Sequence, residues 1–189
     1  MIKIVDNFLT ESYHKEISDI MSSADFPWYY NSNISISNDK KSLCEFGFTH
    51  IFWDSENGQR EGVYSWFLKS ALYQMKDIVN SDVILRSRGD MTMYTNELHE
   101  HSPHVDFNFP HFSTVFYVND SDGDTIFYDK RAKSRTEINQ FSDLKEIKRV
   151  SPKANRLVIF EGDIVHTGSS PNKHKNRIII NSNFLAQEK

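Results

Sequence analysis

A chain of 189 residues, 38% hydrophobic and 25% charged, is long enough to bury a core, and a single domain spanning residues 1–189 is expected. Its net charge of −4 offers no field to attract nucleic acid or an anionic membrane, so neither is an expected partner. Charge interrupts Met1-Ile-Lys-Ile-Val-Asp6 before a signal-peptide core can form, no apolar stretch approaches the ~20 residues of a membrane span, and the lone Cys44 permits no internal disulfide; a cytoplasmic location is expected.

In chain order, Ile2 to Val5 reads as a short strand. Thr10 stands at a helix start, with Glu11 in the first turn and Tyr13, Ile17, Ile20, Met21 and Ala24 at helical spacing before Pro27. Trp28 to Tyr30 reads as a strand. Asn31 to Lys41 is a polar loop rich in Ser and Asn, a candidate lid of the kind that excludes water. Phe46 to Trp53 reads as a strand and Asn57-Gly58 as a turn. Val63, Trp66, Phe67, Ala71, Met75, Ile78 and Val79 then mark one helix over Arg60 to Val79.

Beyond Val79 the pattern changes to short strands: Val83–Leu85, Met91–Tyr94, Phe112–Val118, Thr125–Tyr128, Ile147–Val150, Leu157–Phe160, Ile164–Val165 and Ile178–Phe184. Gly89-Asp90, Asp120–Gly123, Ser151-Pro152, Gly162-Asp163 and Gly168–Pro171 supply turn chemistry between them. Ala132 to Asp143, preceded by the basic run Lys130–Arg135, reads as an irregular surface loop. Two helices followed by many strands predict an α+β, mainly β chain. Its fold is a jelly roll over about residues 82–185, with a helical part, about residues 1–80, packed on one sheet.

Candidate chemistry concentrates in His99-Glu-His-Ser-Pro-His-Val-Asp106. Within it stands His104-Val105-Asp106, an imidazole and a carboxylate two residues apart, which point the same way on an extended segment. One more imidazole completes a 2-His-1-carboxylate triad with open positions for non-haem iron, and His166, after the Gly162-Asp163 turn, is the candidate. Chance pairings among eight histidines make a loop His104 and a surface His166 the competing reading. His99 and His101 form a rival pair, with nothing nearby in sequence to complete a zinc pattern. Arg177 opens the apolar strand Ile178–Phe184, where a guanidinium needs an anion; a protein carboxylate or a bound one both satisfy it.

Taken in order, His104-x-Asp106, His166 and Arg177 resemble the Fe(II)/2-oxoglutarate-dependent dioxygenase superfamily over roughly Asp82 to Phe184. Tyr94 upstream of the pair and Phe116-Tyr117-Val118-Asn119 downstream make the chain most similar to the prolyl 4-hydroxylase-like branch. The resemblance implies a jelly-roll enzyme using Fe(II), 2-oxoglutarate and O2, with ascorbate as a candidate reductant. It implies that His104, Asp106 and His166 hold the metal. Arg177 and Tyr117 would hold the distal carboxylate of 2-oxoglutarate, with Tyr94 nearby and Thr114 or Asn181 assisting. Because halogenating members lack the carboxylate ligand, Asp106 implies hydroxylation, with release of succinate and CO2.

Two departures stand out. The Gly-Gly-Glu-like turn of the branch is represented only by Asp122-Gly123-Asp124-Thr125. Asn183 stands where nucleobase dealkylases carry a second arginine, which argues against nucleic-acid repair. The substrate is expected to be a prolyl residue of a peptide or protein, or a small molecule. Phe107 to Phe112 is a candidate pocket wall or core segment, and Arg86 and Arg88 face either substrate or solvent. Alternatives are a non-catalytic jelly-roll binding module, a nucleobase or small-molecule oxygenase of the same superfamily, and a cupin-like zinc or manganese hydrolase.

Overall fold

The computed structural model describes residues 1–34, 44–55 and 60–187. Most of the candidate lid, residues 35–41, and the Asn57-Gly58 turn lie outside them. The described chain runs β1 (Ile2–Val5), α1 (Glu11–Ser22), β2 (Tyr29–Asn31), β3 (Gly47–Asp54), β4 (Arg60–Glu61), α2 (Lys69–Ile78), β5 (Ile84–Met93) and β6 (His99–Glu100). It continues through β7 (His111–Tyr117), β8 (Thr125–Arg131), the short α3 (Arg135–Ile138), β9 (Glu146–Val150), β10 (Arg156–Glu161), β11 (Ile164–Ser170) and β12 (Asn176–Leu185). The strands form two antiparallel sheets, ordered β1-β10-β7-β12-β5-β3-β2 with β4 on β3, and β6-β11-β8-β9. This is the expected mainly-β jelly roll. Among the described residues no helix is long and apolar enough to cross a membrane.

Strand parity sorts the large sheet into two faces. Ile178, Ile180 and Phe184 of β12, Phe116 of β7 and Leu157 and Ile159 of β10 pack with Ile17 and Met21 of α1 and Leu72 and Met75 of α2. The alternate residues Ile179, Val115, Tyr117, Val158 and Phe160 face the small sheet and meet Phe127 and Ile164. Both faces are buried, which is why β10 and β12 read as continuous apolar runs rather than as alternating ones. The Tyr13 hydroxyl ties the two helices together, donating to Phe67 O at 2.7 Å and accepting from Ala71 N at 3.2 Å. Each face of the central strands β7, β10 and β12 therefore has one partner layer, helices on one side and the small sheet on the other.

Several sequence expectations need correction. The helix read over Arg60 to Val79 is only Lys69–Ile78. Its first part is β4, a turn and a single 3₁₀ turn at Ser65–Phe67 that leaves Val63 and Trp66 exposed. Gly89-Asp90 is no turn but the middle of one long strand, β5, where Gly89 pairs with both His50 and Ile180. Glycine serves close packing there, since a Cβ would stand 3.0 Å from Met21 Cε and 3.1 Å from a Phe52 ring carbon. Gly168 to Ser170 likewise continues β11. The first helix stops at Ser22, ahead of Pro27, and leaves Ala24 exposed.

Candidate metal and co-substrate site

The segment after β6 runs beside β11. Backbone bonds are exchanged in both directions between His104 and His166, N to O at 2.8 and 3.0 Å. This hydrogen-bonded antiparallel pair brings two distant histidines side by side, with ring centroids 4.7 Å apart. The Nδ1–H of His104 donates to Ser102 O (3.1 Å) and that of His166 to Ile164 O (2.9 Å). A carbonyl can only accept, so Nδ1 carries the proton of each neutral ring and Nε2 keeps its lone pair. His166 Nε2 lies 3.9 Å from Asp106 Oδ2, and one ligand atom from each of His104, Asp106 and His166 falls within 4.8 Å of the others. The donor set suits a divalent metal.

Asp106 is held as an anion. Arg86 Nη2 donates to Oδ1 at 3.1 Å, while Ser113 Oγ and Asn183 Nδ2 each donate to Oδ2 at 2.8 Å. Burial opposes its ionisation; the Arg86 guanidinium first, then the neighbouring imidazoles of His166, His104 and His111, outweigh burial and hold the carboxyl well below the usual range. Arg86 also lies over the Phe107 ring, 4.9 Å from its centroid. Burial lowers the pKa of the neighbouring His111, against the pull of its bond to Phe109 O and of Asp106. Arg86, expected to face substrate or solvent, points to the Asp106 carboxylate of the triad. Arg88 forms an ion pair with Asp90 (2.7 Å) in the cavity beside it, and that neighbour raises its pKa.

Arg177 lies in the same cavity, which is lined by His104, Asp106 and His166 at one end, Arg177 and Thr125 at the other, and Ile179, Val115 and Asn181 between them. It is 4% exposed, and burial alone pulls its pKa down against the counter-pull of Tyr117 and Asp90. Its Nη2 donates to Thr125 Oγ1 (2.9 Å) and its guanidinium sits 5.6 Å from the Tyr117 ring centroid. Among the described residues no carboxylate lies within 4.0 Å of it. Arg177 thus has no ion-pair partner among the described residues. Arg177 Nε and Asn181 Oδ1 are buried without a hydrogen-bond partner among the described residues, so polar capacity is left for a ligand. Tyr117 is fully buried behind the guanidinium, its hydroxyl donating to Thr125 Oγ1 at 2.6 Å.

Thr114 and Tyr94 are not brought to this cavity. Thr114 has the opposite strand parity to Tyr117; its hydroxyl donates to Ser182 O (3.1 Å) and approaches Met75 Sδ (3.7 Å) on the helix side. Tyr94 follows the end of β5 and is half exposed, its backbone N–H donating to Lys175 O at 2.9 Å. Conversely, Ser113 and Asn183 at Asp106 and Thr125 at Arg177 are site residues that the sequence does not single out. Parity held the signal for Asn183, which shares the inward face of β12 with Arg177, Ile179 and Asn181. Gly123, from the turn that departs from the branch, packs on Arg177: a Cβ there would meet Ser169 O and stand 2.8 Å from Arg177 Cδ.

No curated protein matches the chain in sequence. In structure it is similar to a prolyl-4-hydroxylase from Pseudomonas putida, at 13% identity and TM-score 0.62, covering 98% of this chain and 92% of that one. It is also similar to an oxidoreductase of the 2OG-Fe(II) oxygenase family from Burkholderia pseudomallei (9% identity, TM-score 0.67, covering 100% and 88%). A third is the alpha-ketoglutarate-dependent epimerase SnoN from nogalamycin biosynthesis (11%, TM-score 0.65, 98% and 77%). At these identities the likeness speaks for the fold. Residues 89–185, which contain the whole triad and Arg177, match the family described as the 2OG-Fe(II) oxygenase superfamily. The chain belongs to that superfamily of oxidoreductase enzymes, whose metal is Fe(II) and whose co-substrate is 2-oxoglutarate.

Proposed function

We propose that the chain is a hydroxylase, a single domain in which His104, Asp106 and His166 hold Fe(II) while Arg177 binds the distal carboxylate of 2-oxoglutarate. The observation that carries this reading is the shared cavity: three convergent ligands at one end and, at the other, a buried guanidinium without a carboxylate partner among the described residues. When bound, iron and co-substrate supply the oxidation, in which O2, 2-oxoglutarate and a substrate C–H give succinate, CO2 and the hydroxylated product.

The chain's own residues bind, orient and shield. Both imidazoles present Nε2 because Nδ1–H is occupied by a carbonyl, and Arg86, Ser113 and Asn183 keep the Asp106 carboxylate ionised and aimed. Thr125 and Tyr117 brace the guanidinium, whose fork suits a carboxylate bidentately, and Asn181 Oδ1 adds an acceptor in the same cavity. The apolar walls Val115 and Ile179 keep water away from the co-substrate chain. Tyr94 and Thr114 do not line this cavity.

For the substrate, a prolyl residue of a peptide is the first reading, favoured by the fold likeness to prolyl hydroxylases. One of these, from Trichoplax adhaerens, is seen with a hypoxia inducible factor peptide fragment. A small molecule is the second, favoured by the likeness to SnoN with nogalamycin RO and to HygX with hygromycin B. The test is succinate release with Fe(II), 2-oxoglutarate and O2, followed by mass spectrometry of proline-containing peptides and of small molecules for the gain of one oxygen. No succinate in any condition overturns the hydroxylase reading, whereas succinate with oxygenated small molecules only overturns the prolyl one.

A further inference from the structure

A second cluster of metal-capable side chains stands apart from the triad. His99 and His101 point the same way from β6 and its continuation, with ring centroids 4.9 Å apart. The sequence around them supplies no third ligand. The structure supplies one from far upstream: Glu45, just before β3, places Oε1 3.0 Å from His99 Nε2 and Oε2 3.2 Å from His101 Nδ1. One ligand atom from each of the three lies within 4.8 Å of the others.

We infer that Glu45, His99 and His101 form a second divalent-cation site, with zinc as its ion. Two nitrogen donors and a carboxylate make a borderline donor set that takes zinc with three protein ligands and water. The ion takes the place of the hydrogen bonds between the carboxylate and the two imidazoles, each neutral ring then carrying its one proton on the nitrogen turned away from the ion. The site is built before the ion arrives. His101 N donates to Gly168 O (2.9 Å), His99 pairs with Ser170 across the β6–β11 ladder, and Ile34 N donates to Glu45 O (2.8 Å). His101 Nε2 is within 3.0 Å of Ser170 Oγ, the outer hydrogen bond that orients a ligating imidazole and leaves Nδ1 for the metal. Glu45 and His101 are both under a tenth exposed, so their ligand atoms meet little competing water.

The place gives the ion a role. His101 also lines the cavity of the triad, so zinc here fastens the segment entering β3 to the cavity wall. That role is structural and stands whether or not the chain is a hydroxylase. The test strips the full chain with a chelator, equilibrates it with zinc alone and measures bound zinc per chain. The set is wild type, His99→Ala, Glu45→Gln and His104→Ala. The expected result is loss of one equivalent in His99→Ala and in Glu45→Gln, with one equivalent retained in His104→Ala. Glu45→Gln keeps the size of the side chain and guards against a fold defect in His99→Ala. Wild-type zinc content in both variants overturns the proposal, and so does a His104→Ala chain without zinc. Zinc lost entirely from His99→Ala but unchanged in His104→Ala upholds it while removing the triad as a metal site.

Discussion

Replacing Arg177 by Met separates a guanidinium kept for a ligand from one kept for the fold. In the free protein the charge is buried, its one hydrogen bond among the described residues runs to Thr125 Oγ1, and no described carboxylate lies within 4.0 Å. The substitution forgoes that bond, which costs about 1.5–3 kcal/mol, and also relieves the desolvation of an unpaired charge, a penalty of several kcal/mol per ion. Met fills a similar volume, so the stability of the free protein is expected to stay level or rise by up to about 2 kcal/mol. Breaking a true buried ion pair costs about 3–5 kcal/mol instead. The effect on 2-oxoglutarate runs the other way. Loss of charge-assisted bonds worth about 3 kcal/mol weakens binding on the order of 100-fold. Chemical denaturation of the metal-free protein gives the first quantity, and calorimetric titration of 2-oxoglutarate in the presence of Mn(II) gives the second. A variant destabilised by several kcal/mol with unchanged 2-oxoglutarate affinity refutes the assignment.

Three further outcomes follow from the site. Asn183→Ala removes a donor from both Asp106 Oδ2 and Ser113 Oγ and is expected to weaken Fe(II) binding by about 10–100-fold while leaving the fold intact; equilibrium dialysis against Fe(II) measures it, and wild-type affinity counts against the role. Gly123→Ala drives a Cβ into Ser169 O and Arg177 Cδ, so both thermal stability and 2-oxoglutarate affinity should fall, whereas loss of stability alone would show that Arg177 is not displaced. On acidification the metal is expected to leave over the acid window in which protons compete for its imidazole ligands. Asp106 does not set this window: its folded pKa is depressed, so its contribution to stability is full above about pH 4 and is lost only as pH falls through the lower folded value. Iron affinity that does not fall on acidification contradicts the histidine ligation.

What was legible in the chain followed from short-range physics. Strand parity put His104 and Asp106 on one side and made Arg177 an inward residue, and turn chemistry located the β10–β11 hairpin that delivers His166. The same parity, applied to β7, places Thr114 opposite Tyr117, on the helix side. Gly89 and the long helix were different. A glycine chosen to let Met21 and Phe52 approach β5 looks in sequence like a turn former, and apolar residues at Val63 and Trp66 fit a helical period by accident. The pairings of Arg86, Thr125 and Glu45 carry no local signal. Their partners, Asp106, Arg177 and the His99–His101 pair, meet them only through sheet pairing and loop closure across distant parts of the chain.

The central claim is that one cavity holds a metal at His104, Asp106 and His166 and a keto-acid carboxylate at Arg177. Anaerobic addition of Fe(II) and 2-oxoglutarate, followed by visible absorption, tests both ends at once. The wild-type protein should develop a metal-to-ligand charge-transfer band that is absent in His104→Ala and needs far more 2-oxoglutarate in Arg177→Met. A wild-type protein without the band, or an unchanged band in His104→Ala, contradicts the account.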